Sequence, residues 1–228
     1  MPTSPADLVQ LITRTYAKAG DPDTAEQQSK YMRGKFVYYG LKAPTWVAIL
    51  KEIFKEHGLF DGEELLTFVR LCNDEECREM HYTGLQMLEK RIRKQPEDRI
   101  EFLEECVLTN SWWDTVDWLN KLIGIHFKHY PELQHPTARR WIEEDNIWLQ
   151  RLAIIHQLTF KEKTDWPFMQ EMILRRVDSK EFFVQKAAGW ALRQYSKTNS
   201  KEVVAFIDAH PELPPLAKRE GLKWLSRQ

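Results

Sequence analysis

Short strings in this sequence return at the interval of one helical hairpin. Gln150-Arg151-Leu152-Ala153 matches Gln185-Lys186-Ala187-Ala188 at a spacing of 35, and Lys186-Ala187-Ala188-Gly189 echoes Lys218-Arg219-Glu220-Gly221 at 32. Paired helices recurring at such a period are the signature of an α-solenoid of HEAT or armadillo kind, in which each pair buries its apolar face against the next. The inner helices of such a stack line a concave surface suited to an extended partner.

The rest of the chain agrees with this period. Apolar residues recur at three- and four-residue steps throughout, and no stretch alternates with the period of two that a half-buried strand requires. The pattern predicts an all-α chain, read as a single domain over residues 1–228. The first helix opens at Ser4 or Pro5 and closes at Gly20-Asp21-Pro22-Asp23, and a second runs from about Thr24 to Phe36. A third runs to His57-Gly58, followed by helices from about Gly62 to Leu71, Glu75 to Lys94 and Glu97 to Val107. Ser111 is the expected N-cap of a helix reaching His129. Further helices are expected over Thr137–Glu143, Ile147–Leu158, Pro167–Val177, Lys180–Tyr195, Ser200–Ala209 and Pro215–Arg227.

Composition narrows the class by exclusion. With 43% hydrophobic residues in 228, the chain can build a real core, yet no apolar run approaches the roughly 18 residues needed to span a bilayer. The N-terminus lacks both a signal peptide and an Arg-rich transit pattern, so a cytosolic location is expected, nucleoid-associated in a prokaryote. Cys72, Cys77 and Cys106 form no CxxC and read as reduced thiols packed in helices. No Gly-rich phosphate loop is present, which argues against a nucleotide cofactor. His126 and His129 lack a third ligand at a telling spacing and read as structural, so no metal is expected. The net charge is −1, but residues 151–228 hold 14 basic against 9 acidic side chains. That excess suits an anionic partner on the C-terminal half.

The candidate chemistry centres on Ser111-Trp112-Trp113-Asp114-Thr115-Val116-Asp117-Trp118-Leu119. Residues four apart share a helix face, so Trp113 stands over Asp117. With a period near 35, Asp117, Arg151 and Lys186 fall at nearly equivalent places on neighbouring repeats, and Trp190 lies one turn beyond Lys186. Carboxylate, guanidinium and ammonium would then lie side by side between aromatic walls. Pattern alone leaves two readings open: a reactive cleft, or a structural Asp–Arg ladder with core tryptophans. Ser111 lacks a Gly-x-Ser-x-Gly context and is not read as a nucleophile.

Three strings decide between them. Ser111-Trp112-Trp113-Asp114-Thr115-Val116-Asp117, Asp145-Asn146-Ile147-Trp148-Leu149-Gln150-Arg151 and Lys180-Glu181-Phe182-Phe183-Val184-Gln185-Lys186-Ala187-Ala188-Gly189-Trp190 closely resemble the AlkD-type alkylpurine DNA glycosylases, built of HEAT-like repeats. The likeness extends from Tyr31-Met32 to Pro215-Leu216-Ala217-Lys218-Arg219-Glu220. It implies that Asp117 is catalytic, that Trp113 and Trp190 wall the site, and that Arg151 contacts DNA near the lesion. It also implies that Arg193 and Lys197 face the DNA and that Tyr31 touches the duplex; Lys186 and Phe183 join this expected DNA-binding set. The implied activity is monofunctional hydrolysis of cationic N3- and N7-alkylpurines in double-stranded DNA, without base flipping, by a monomer needing no cofactor. The alternative is a catalytically silent module that grips DNA or a protein segment, with Asp117 merely neutralising Arg151 and with Phe183 and the tryptophans as groove anchors.

Overall fold

The computed structural model describes residues 4–225. Among them every regular element is helical, thirteen α-helices with three short 3-10 turns, and the one β-type pairing is an isolated bridge between Val37 and Cys77. Among the described residues no helix is long and apolar enough to cross a membrane. The chain divides into two compact units, Met1–Gln95 and Pro96–Gln228.

The first unit holds α1 (Pro5–Ala19), α2 (Pro22–Tyr31), α3 (Ala43–His57), α4 (Gly62–Asp74) and α5 (Arg78–Arg91). Ser4 and Asp7 form a reciprocal capping box that satisfies the first amides of α1. Leu8, Ile12 and Tyr16 bury one stripe of α1, which packs on α3 and α4. Each such fully buried side chain contributes roughly 1.5 to 3 kcal/mol. The loop before α3 is tied down by Glu79 of α5, whose carboxylate accepts the amides of Tyr39, Gly40 and Leu41 at 3.0 Å each. Cys77 precedes α5 as its N-cap rather than lying within a helix.

In the second unit the helices alternate between two rows. One row holds α6 (Arg99–Leu108), α8 (Gln134–Glu143), α10 (Trp166–Leu174) and α12 (Ser200–Ala209); the other holds α7 (Trp113–His129), α9 (Ile147–Ile155), α11 (Phe182–Tyr195) and α13 (Pro215–Leu222). Consecutive members of the second row pack on one another. The first row is cross-linked by Arg140 to Glu104, whose carboxylate also accepts the buried Trp141 indole N–H at 2.8 Å, and by a forked Arg139–Glu171 pair. Trp166 stacks on Tyr195 and meets Phe206 edge-on, joining α10 to α11 and α12. Close approach within the second row depends on glycine. A Cβ on Gly124 would stand 2.9 Å from the His156 carbonyl, and one on Gly189 would meet the Glu220 Cβ at 2.6 Å.

Most expected boundaries shift by a few residues, and three of the shifts have a clear local reason. Ser111 does not cap α7: its hydroxyl turns back to the Val107 carbonyl at the end of α6, and Trp112 takes the cap position with no side-chain bond. The chain reverses there through Asn110, whose φ of 50° a short polar side chain tolerates. The second helix stops at Tyr31, five residues before Phe36, because Arg33 and Gly34 are left-handed and the Gly34 amide closes on the Ser29 carbonyl. The helix expected from Glu75 begins at Arg78, since Glu75 ends α4 and the Arg78 amide bonds to Val37. The last helix ends at Leu222, and Arg227, its expected end, lies outside the described residues.

Candidate active site

Three successive helices of the second row bring the sequence-predicted residues together. Asp117 projects from the second turn of α7, Arg151 from the middle of α9, and Trp190 from α11. The position of Arg151 is set by Asn146, whose side chain caps α9 by accepting the amides of Trp148 and Leu149. From there the guanidinium spans the gap to α7. Its Nε donates to Asp117 Oδ1 at 2.9 Å, and its terminal nitrogen donates to Oδ1 at 2.7 Å and to Oδ2 at 3.1 Å. The other terminal nitrogen donates to the Phe183 carbonyl at 3.0 Å, in the first turn of α11. Trp190 completes the enclosure, its ring centroid 5.4 Å from the guanidinium carbon.

This pair is unequally buried. Arg151 is only 3% exposed, whereas the Asp117 side chain keeps 24% of its surface. Oδ1 takes two of the three hydrogen bonds, so Oδ2, with one longer bond, retains more lone-pair capacity. Burial pushes the Asp117 carboxyl above the ordinary aspartate value, opposed by the adjacent Arg151 guanidinium and assisted slightly by Asp114. A guanidinium with no solvent of its own needs its counter-ion, so the pair fixes Asp117 in place while leaving one oxygen available. Trp113, the first residue of α7 and one turn before Asp117, is half-buried like Trp190. Trp113 thus lies one turn from Asp117 on the same helix, and Trp190 lies against the guanidinium that holds it.

The remaining expected residues distribute differently. Lys186 does not turn toward Asp117. Its ammonium lies 2.9 Å from Glu220 on α13, and Arg193 bonds the second oxygen of the same carboxylate at 3.1 Å. Asp117 to Arg151 and Lys186 to Glu220 are thus two rungs of a ladder, each 34 residues long. Phe183 is half-buried in a cluster with Trp112 and Trp148, at ring separations of 5.3 and 4.8 Å, and Phe182 beside it is exposed. Lys197 is exposed at the end of α11, bonded to Gln194. Tyr31, in the first unit, is 71% exposed. His126 gives its Nε2 to the Glu97 carbonyl and packs on Tyr130. No cluster of three or more metal-ligating side chains occurs among the described residues.

Sequence reasoning missed two participants. The Phe183 carbonyl is invisible because any residue supplies one. Glu220 was within reach: carrying the Asp117–Arg151 count of 34 onward from Lys186 lands on it.

The chain resembles known proteins over nearly its whole length. Residues 12–225 match the family model described as DNA alkylation repair enzyme. A solved structure from Enterococcus faecalis, named a predicted DNA alkylation repair enzyme, superposes with a TM-score of 0.85 at 32% identity, covering 92% of this chain and 98% of its own. No curated protein sequence matches.

Proposed function

The chain belongs to the DNA alkylation repair enzyme family, and on that premise we propose that it is a monofunctional DNA glycosylase acting on cationic N3- and N7-alkylated purines in duplex DNA. The observation that carries the reading is the Asp117 carboxylate, clamped by the buried Arg151 and flanked by the half-buried Trp113 and Trp190. A stacked ladder needs the ion pair; it has no need of a part-exposed acid accompanied by two half-buried indoles.

The chemistry follows from the substrate's charge. A purine alkylated at N3 or N7 is already positive, so it departs as a neutral base once the bond from C1′ to nitrogen breaks, without a general acid. One carboxylate then suffices where ordinary glycoside hydrolysis uses two. Positive charge moves to the sugar as the bond stretches, and Asp117 stabilises it and orients the water whose oxygen bonds to C1′. The water's proton passes to Asp117 or to solvent. The indole faces favour the same cation, each contributing on the order of 0.5 to 2 kcal/mol.

Arg151 is committed to Asp117 and the Phe183 carbonyl, so its effect on DNA is exerted chiefly through the placement of that carboxylate. Lys186, Arg193 and Lys197 of the second unit and Tyr31 of the first supply the contacts to the duplex, and Phe183 packs beside Trp112. The central set of Trp113, Asp117, Arg151 and Trp190 holds no lysine, which favours hydrolysis over a Schiff-base route. The enzyme works as a cytosolic monomer, without a cofactor and without extruding the damaged base.

The test is release of base from DNA holding a single N7-methylguanine, followed as abasic sites under single-turnover conditions. Wild type forms them, and Asp117→Asn slows formation by at least about a hundredfold, the scale of losing one key electrostatic group, while still binding DNA. Failure of both proteins, with binding shown, defeats the enzyme reading in favour of a silent DNA-gripping module. Equal rates defeat the role of Asp117. Trapping of a covalent adduct by borohydride defeats the monofunctional assignment.

A further inference from the structure

Glu220 is the point where three cations converge. It is 5% exposed, lying on α13 against α11, and its two oxygens are divided between Lys186 at 2.9 Å and Arg193 at 3.1 Å, with Lys223 at 3.6 Å on the Lys186 side. The hydrogen bond from Lys186 leads the effects that hold its carboxyl below the ordinary glutamate value. The cations themselves stay between 29 and 43% exposed. The acid is therefore the floor of the cluster and the cations its rim. A cleft lined by Arg219, Glu220, Leu222 and Lys223 opens beside it.

The packing makes that floor deliberate. Gly189 of α11 lies under Glu220, and a Cβ there would meet the Glu220 Cβ at 2.6 Å and the Ala217 carbonyl at 2.9 Å. Seated against a glycine and covered by its partners, Glu220 is 5% exposed. It neutralises one of three positive charges, leaving two, and Lys186 and Arg193 each hold more donors than Glu220 takes up. Three cations gathered over one buried acid would splay by mutual repulsion without it; with it, each is held within 3.6 Å of the same carboxylate.

We propose that Glu220 is a positioning residue that gathers Lys186, Arg193 and Lys223 into one preorganised site for a backbone phosphodiester of the DNA. This rests on the reading of the chain as a DNA-acting enzyme, and it adds Lys223 and the buried acid to the binding surface. The site is separate from Asp117, so it governs how the duplex is seated rather than how the bond breaks.

The sign of one substitution is diagnostic. Glu220→Gln keeps the shape of the side chain and makes the protein more positive, so Coulomb attraction alone would tighten its hold on DNA. Preorganisation requires the opposite: affinity of the intact protein for undamaged duplex falls roughly tenfold, and Glu220→Asp, which keeps the charge, recovers part of the loss. Affinity that is unchanged or higher in Glu220→Gln, or an equal fall in both variants, overturns the proposal. Should Glu220→Gln fail to fold, Lys223→Gln on the surface decides: the slope of log affinity against log salt drops by about one, and an unchanged slope overturns it. Base excision by wild type, measured separately, keeps this outcome distinct from that of the proposed function. An enzyme that excises N7-methylguanine but fails these binding tests loses only the role of Glu220.

Discussion

Arg151 holds Asp117 by three hydrogen bonds of 2.7 to 3.1 Å while being itself almost wholly removed from solvent. The pair is asymmetric in what each member can lose. Removing the guanidinium as Arg151→Ala leaves a part-exposed acid that water can solvate, but also an empty, polar-lined hole. We expect a loss on the order of 3 kcal/mol, typical of breaking a buried ion pair. Arg151→Lys restores charge but has no fork to span both Asp117 oxygens and the Phe183 carbonyl together. The expected outcome is a protein folded by circular dichroism, with intermediate stability in urea and excision slowed at least tenfold. Full activity in Arg151→Lys would show that charge alone, without the fork, places Asp117.

The upward push of burial on Asp117 has a kinetic consequence. The anion is the working form, so the single-turnover rate falls as pH drops through the folded-state value, which lies above the ordinary 3.8. The acid limb of the rate profile should therefore be centred above that of an exposed aspartate. A rate that stays flat down to pH 3.8 would contradict the raised value.

Gly189→Ala sets helix propensity against space. Alanine favours a helix by up to about 1 kcal/mol over glycine, but here its methyl would stand 2.6 Å from the Glu220 Cβ and 2.9 Å from a backbone oxygen. Overpacking of that kind costs about 1 to 3 kcal/mol, so a net lowering of Tm is expected in thermal melts. Since Trp190 is the next residue, excision should also suffer. A rise in Tm would mean that α11 and α13 can separate freely.

His156 is buried and neutral. Its Nδ1 faces the Ala153 carbonyl at 2.9 Å and its Nε2 faces the Gln134 amide at 3.1 Å, contacts that assign the proton to Nδ1. Burial pushes its pKa from 6.5 down to about 4. Between those values the unfolded chain binds a proton that the folded one refuses, so stability rises with pH across this window and is lost on acidification. Urea midpoints at pH 7 and pH 5 should differ in wild type by more than in His156→Gln. Equal differences would place the acid sensitivity elsewhere.

Helix positions, the all-α class and the convergence of Asp117, Arg151 and Trp190 were legible because they depend on periodicity, which a sequence displays directly. Lys186 was not, because its register admits two neighbours: Asp117 is already satisfied by Arg151, and the free acid lies on the other side, at Glu220. The cap at Ser111 misled for a related reason. A hydroxyl between two helices can serve either end, and here it donates to the Val107 carbonyl at the end of α6. The Arg151–Phe183 contact lay beyond any reading of side chains, since the acceptor is main chain.

The 34-residue ladder also sets which parts of this chain tolerate changes in length. Asp117 and Arg151 meet because two helices present them at matched heights, not because a pocket wall moulds them together. Residues added to the loop between α8 and α9 would bulge outward and leave the pair intact. One residue added between Asn146 and Arg151 would turn the guanidinium by about 100° around α9, away from its acid. The first turn of α9 therefore behaves as a fixed ruler, and the connections on either side of it as slack.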